Sequence, residues 1–306
     1  MFSGVITMRK FKHKAGRARL FRRVRRQRVK YITVLPSLIT ILNGLFGFTA
    51  IALASKGAQV GVERFPYFAV AGYMVLLAMF ADMLDGRLAR MSQSTSSFGG
   101  QLDSLCDLIS FGVAPAFLML QLTEAKLVAA GILSGGFLHR FIWLAALAYI
   151  SCTAIRLARF NVENDENEAA HMSFAGLPSP AAAGVIISLV IFQQEQMPGL
   201  TLLVYALPFI ALGVGILMVS RIRYPHVLNF YLKGKQPFSY LIVVLLLLGL
   251  MACMKHQTAL VLIFGVYAGG SFLKWLYCTA IHRKVQPAEA ENGLAADAAN
   301  SPAMDK

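Results

Sequence analysis

Residues 82–107 read DMLDGRLARMSQSTSSFGGQLDSLCD. Four acids, Asp82, Asp85, Asp103 and Asp107, bracket a run of small polar residues, and long apolar stretches extend away on either side. Asp82, Asp85, Gly86, Ala89 and Arg90 fall at i, i+3, i+4, i+7 and i+8, so on a 3.6-residue period they share one helical stripe. Gly99, Asp103 and Asp107 fall at i, i+4 and i+8 and form a second stripe. Between them Met91–Phe98, with Ser92, Ser94, Thr95, Ser96 and Ser97, reads as a polar turn. The spacing predicts a helical hairpin in which two acidic stripes face each other close to a membrane surface.

The membrane follows from composition. Of 306 residues, 57% are hydrophobic and only 14% charged, against about 25% charged in a typical soluble domain. Hydrocarbon cannot solvate a charge, so the deficit points to a bilayer protein. A helix needs roughly 20 apolar residues to cross hydrocarbon. Eight candidate spans follow: Thr33–Ser55, Tyr67–Ala89, Gln101–Leu122, Phe137–Ala158, Ala175–Ile191, Leu200–Val219, Phe238–Met254 and Thr258–Ile281. The fifth is short and the last two are closely joined, so six or seven spans stay open. The expected fold is an all-α integral membrane protein, a bundle of about eight transmembrane helices with a six-helix catalytic core.

The domain reading is a basic cytoplasmic segment (1–32), a core (33–224), additional transmembrane helices (225–284) and a disordered tail (285–306). The tail is rich in Ala, Asn and acids and has no face worth burying.

Charge gives the topology. The net charge is +14, and twelve Lys and Arg with no acid among them lie between Arg9 and Lys30. This reads as a cytoplasmic flank attracted to anionic lipid, not as a nucleic-acid site. It is too long for the basic region of a signal peptide, and no small-residue cleavage site follows. Alternating passes put the ends of even-numbered spans on the same side as this flank. Those ends carry Arg87 and Arg90, Arg156 and Arg159, Arg221 and Arg223, then Arg283 and Lys284. The opposite loops are poorer in charge, so both termini are expected in the cytoplasm. The acidic stretch Asn161–Ser173 reads as a cytoplasmic loop. Cys106, Cys152, Cys253 and Cys278 lack metal or redox spacing and read as small packing residues.

The four aspartates are the acids that fall within the apolar spans, and intramembrane ionisable groups default to function. Converging carboxylates repel, so they either take up protons or bind cations. Oxygen-only ligation suits Mg²⁺, Mn²⁺ or Ca²⁺ better than Zn²⁺. Gly86, Ala89 and Gly99 leave room for phosphate oxygens or a flat group, and Arg90 can pair with phosphate. The pattern reads as a metal-assisted site for a diphosphate-linked substrate. The blander reading, helix-end acids solvated or paired with nearby Arg, does not explain two matched stripes.

At this point the residues carry a resemblance. Asp82-x₂-Asp85-Gly86-x₂-Ala89-Arg90-x₈-Gly99-x₃-Asp103-x₃-Asp107 resembles, without a departure, the signature of the CDP-alcohol phosphatidyltransferase family, over approximately Pro36 to Tyr224. Three further stretches, PSLITILNG (36–44), RLARFN (156–161) and FAGLPSPA (174–181), resemble the membrane-embedded branch whose acceptor is L-serine. The resemblance implies CDP-diacylglycerol as donor, CMP as leaving product, membrane lipids as surroundings and Mg²⁺ or Mn²⁺ as cofactor. It admits a homodimer and no nucleic-acid partner.

The resemblance implies Asp82, Asp85 and Asp103 as metal ligands. Asp107 would sit at the edge of the metal site and act as general base. It also puts Gly86, Ala89, Arg90 and Gly99 against the nucleotide and diphosphate. Asn43, with Thr40, either touches the nucleotide or bonds helix to helix. Arg156 and Arg159 either hold the serine carboxylate or a lipid phosphate, or snorkel as anchors. Other acceptors (glycerol phosphate, inositol phosphate, choline) are the nearest alternatives. A membrane prenyltransferase would separate its two aspartate segments widely, and a divalent-cation transporter would carry its acids near the membrane centre.

Overall fold

The computed structural model describes residues 37–59, 66–92, 97–131, 136–166, 176–220, 255–270 and 272–273. The expected basic segment, the seventh span Phe238–Met254 and the tail lie outside these residues. The described chain is helical: α1 (Ser37–Gln59), α2 (Tyr67–Ser92), α3 (Ser97–Asp107), a π-helical turn (Leu108–Val113), α4 (Ala114–Ala129), α5 (Phe137–Glu166), α6 (Ser179–Glu195), α7 (Thr201–Val219) and α8 (256–270). Among the described residues five spans are long and apolar enough to cross a membrane: α1, α2, Phe98–Ala129, Phe137–Val162 and α7. The protein is therefore an all-α, multi-pass membrane protein.

Large apolar side chains on the outside, among them Phe48, Leu144, Leu202 and Phe209, are exposed as lipid-facing residues must be. The interior is lined by Phe68, Phe111, Leu118, Ile142, Tyr149, Ile186 and Leu207, with many alanines between them. Packing is broadest between α5 and α7 and between α2 and α6.

Three boundaries differ from the sequence reading. Asn161–Glu166 is not loop but the last turns of α5. No Gly or Pro interrupts that segment, so nothing in its sequence breaks the helix. The fifth span begins at Ser179 rather than Ala175, because Gly176-Leu177-Pro178 is not helical and Pro180 sits in the first helical turn. Gly176 has φ +98, and a Cβ there would overlap the Met218 carbonyl, so glycine is required. Leu177 N–H then bonds Leu217 O at 3.1 Å, pinning the start of α6 to the end of α7.

The third span is not uniform α-helix. After Asp107 the backbone bonds lengthen to the π pattern, with Ala114 N–H reaching Ile109 O. The inserted residue turns α4 by about 100° relative to α3. The acidic stripe of α3 is thereby uncoupled from the apolar face of α4. Tyr149 on α5 donates its hydroxyl to Phe111 O within this turn at 2.9 Å.

Candidate active site

The site lies where the start of α1, the end of α2, the second half of α3 and the end of α5 meet. Glycines let α1 approach. A Cβ at Gly44 would stand 3.1 Å from Cys106 Sγ, and one at Gly47 would stand 2.7 Å from Ser110 Cα. Small residues of this kind allow backbone-to-backbone packing where hydrocarbon supplies no hydrophobic force. Ser110 Oγ closes the contact by donating to Asn43 O at 2.9 Å. Cys106 and Cys152 are free thiols.

With α1 so placed, each aspartate has a defined setting. Asp82 and Asp85 stand one turn apart on α2, and Asp103 faces them from α3. One carboxylate oxygen from each lies within 4.8 Å of the others. Asp85 is 4% exposed, and Thr40 of α1 and the Gly86 N–H both bond its carboxyl. Its Oδ2, like Oδ1 of Asp103, is buried and accepts no hydrogen bond. A buried acceptor left in this state costs about 1–3 kcal/mol. Three oxygen donors, two of them so exposed to that cost, fit a hard divalent cation. A Cβ built on Gly86 meets no heavy atom within 4 Å, so the α2 backbone is approachable beside this group.

Asp107 is one turn deeper along α3 and is not a member of the three-carboxylate group. It is 8% exposed, and Asn43 Nδ2 donates to its Oδ1 at 2.9 Å. Its charge still couples to Asp82, Asp103 and Asp85. Asn43, itself fully buried, thus bonds helix to helix and touches the site at once.

Arg156 of α5 is half-buried, donates from Nη1 to Ser179 Oγ of α6 at 2.5 Å, and interacts electrostatically with Asp107 and Asp82. Arg159, one turn further along α5, is half-buried. Gly99 lies four residues before Asp103 on α3 and is half-buried. The side chains of Ala89 and Arg90 lie outside the described residues.

Two polar contacts escaped the sequence reading. Asn161 Nδ2 donates to Ser104 Oγ at 2.9 Å, and Ser104 Oγ lies 3.1 Å from Asn161 Oδ1. This ties the end of α5 to α3 beside Asp103. Ser179 is the second omission. Both residues sit inside stretches already singled out by resemblance (RLARFN and FAGLPSPA), which was the available signal. The three stretches, far apart in the chain, meet around the aspartates.

Fold and site together define an integral membrane protein with a carboxylate cluster at one end of its helix bundle, suited to cation-assisted chemistry on phosphate. The sequence model for CDP-alcohol phosphatidyltransferase matches residues 33–217. The chain belongs to the CDP-alcohol phosphatidyltransferase family. It is similar to the CDP-diacylglycerol–serine O-phosphatidyltransferase of Helicobacter pylori, 33% identical over 79% of this chain and 91% of the relative. The like-named protein of Methanocaldococcus jannaschii is 29% identical over 78% of this chain and 94% of its own length. That of Saccharomyces cerevisiae is 34% identical over 49% and 51% respectively.

Proposed function

We propose that the protein is a phosphatidylserine synthase, a CDP-diacylglycerol–serine O-phosphatidyltransferase. It would transfer the phosphatidyl group of CDP-diacylglycerol to the hydroxyl of L-serine and release CMP. The observation that carries the chemistry is the group Asp82, Asp85 and Asp103, drawn to within 4.8 Å with two buried oxygens unsatisfied. The choice of serine is supported by the names of the relatives and by the RLARFN and FAGLPSPA stretches.

A divalent cation, Mg²⁺ or Mn²⁺, held by Asp82, Asp85 and Asp103 would neutralise the diphosphate and stabilise charge on the departing CMP. Asp107 takes the proton of the serine hydroxyl as its oxygen attacks the phosphorus bonded to the lipid. The bond from that phosphorus to the CMP oxygen breaks. Asn43 fixes Oδ1 of Asp107 and so sets the direction of Oδ2. Arg156 and Arg159 hold the serine carboxylate or the lipid phosphate; Ser179 orients the guanidinium of Arg156. Gly86, Ala89 and Gly99 admit the cytidine to the helix backbones, and Arg90 pairs with the diphosphate. The substrate has acyl tails that need lipid and a head that needs water, so a site at the membrane boundary serves both. We place it, with both termini, on the cytoplasmic face of a bacterial inner membrane.

Purified protein in mixed micelles with CDP-diacylglycerol and Mn²⁺ or Mg²⁺ is expected to release CMP only when serine is added. A panel of glycerol 3-phosphate, inositol phosphate and choline run beside it decides the acceptor. Turnover with one of these and none with serine would overturn the serine assignment and leave the family standing.

A further inference from the structure

α8 lies beyond the matched family region, residues 33–217, yet it packs into the core. Its course is fixed by two contacts. At its start, Gln257 donates to Glu195 and accepts from Gln196 Nε2 at 3.0 Å, both at the end of α6. Two turns on, the Phe264 ring lies directly on Gly184, where a Cβ would overlap it. α8 therefore runs antiparallel to α6. Followed on in this register, its next turn, Tyr267 and Ala268, comes toward the first turn of α6, where Ser179 binds Arg156. Ala268 is 6% exposed, and Tyr267 is half-buried against the core. Gln257, Phe264 and Ala268 fall on one face at helical spacing, with Tyr267 beside it.

From this register we infer that Tyr267 is a positioning residue. Its hydroxyl acts on Arg156 from α8 and, with Ser179, holds the guanidinium where the acceptor's anionic group binds. The electrostatic interaction between Tyr267 and Arg156 agrees with the placement. A guanidinium has five N–H donors in a fixed fork. Ser179 takes one, which leaves donors for the Tyr267 hydroxyl and for the substrate's anionic group. α8 is thus part of the acceptor subsite and not merely an added membrane anchor. The inference rests on the reading of Arg156 as an acceptor-binding residue.

The test is Tyr267→Phe, which keeps the ring and removes the hydroxyl, assayed with whichever acceptor the wild type uses. Losing one hydrogen bond to a charged group is expected to raise the acceptor KM roughly tenfold. The KM for CDP-diacylglycerol should stay unchanged and kcat should move by less than about twofold. A merely structural hydroxyl would change both KM values or neither, and either result overturns the inference. Arg156→Lys and the double variant complete a thermodynamic cycle. Non-additive effects on acceptor KM are expected, and additive ones overturn it. Wild-type acceptor preference tests the serine assignment, and the variant-to-wild-type ratio tests Tyr267, so the two fail separately.

Discussion

The acids at the two ends of the bundle are treated differently. At the far end Glu195 accepts from the Tyr73 hydroxyl at 2.9 Å and from Gln257, with His256 Nε2 3.8 Å away. Glu124 accepts from Trp143 Nε1 at 2.8 Å and pairs with His139 Nδ1 at 3.3 Å. Each of these carboxylates is met by donors from neighbouring helices, α2 and α8 for Glu195 and α5 for Glu124. At the other end three carboxylates are pressed together, and Oδ2 of Asp85 and Oδ1 of Asp103 have no donor. An acid that serves the fold is satisfied by the fold. An acid left short in a dry place is held there at a cost, which something outside the fold offsets.

The sharpest way to break this contrast is to remove charge where the donors are missing. Asp103→Asn is expected to lower turnover about a thousandfold or more, as loss of a metal-ligating carboxylate weakens charge stabilisation on the diphosphate. In metal-free protein the same change relieves like-charge repulsion, so the unfolding temperature should rise or hold, not fall. Adding Mn²⁺ should stabilise the wild type by RT ln(1 + [L]/Kd), about 2.7 kcal/mol at a hundredfold excess over Kd, read as a higher unfolding temperature, and should do little for the variant. A wild type indifferent to Mn²⁺ would sink the cation assignment.

Asp107→Asn separates base from ligand. A general base contributes roughly 10²–10⁴ in rate, so kcat should fall within that range. The Mn²⁺-induced stabilisation should persist, because Asp82, Asp85 and Asp103 are untouched. Full activity in this variant removes Asp107 from the mechanism. Loss of the Mn²⁺ shift would instead move it into the ligand set.

The site-side half of the contrast was legible in the sequence and the far-side half was not. Asp82, Asp85, Asp103 and Asp107 stand at helical spacing within apolar runs, and a stripe is a local property that a linear pattern carries. Their difference in role was not local. Asn43 singles out Asp107 from another helix, 64 residues away in the chain. Glu195 and His256 lie at helix ends, where polar residues are ordinary, and nothing in their neighbours announces that Tyr73, 122 residues earlier, binds the glutamate. The π turn after Asp107 was likewise invisible, because Leu-Ile-Ser-Phe-Gly-Val has the composition of any transmembrane helix. The end of α5 was misread for the opposite reason. Asn161–Glu166 looks like loop by polarity, but polarity decides whether a segment meets water, not whether its backbone stays helical.

The smallest expected effect is also the one that distinguishes the two ends by sign. Glu195→Ala strips the acceptor from the Tyr73 hydroxyl and from Gln257, and loosens the start of α8. Leaving such donors short should cost about 1–3 kcal/mol of stability, read as a lower unfolding temperature. Asp103→Asn should do the reverse in the absence of metal. Turnover of Glu195→Ala should stay within about twofold of wild type. Tyr73 precedes Asp82 by nine residues on α2, roughly 13 Å of helix, and Phe264 seated on Gly184 still holds the catalytic end of α8. If Glu195→Ala instead raised the acceptor KM as Tyr267→Phe is expected to, the far-end cluster would be setting the position of Tyr267. The division between acids that serve the fold and acids that serve the chemistry would then have to be redrawn along α8.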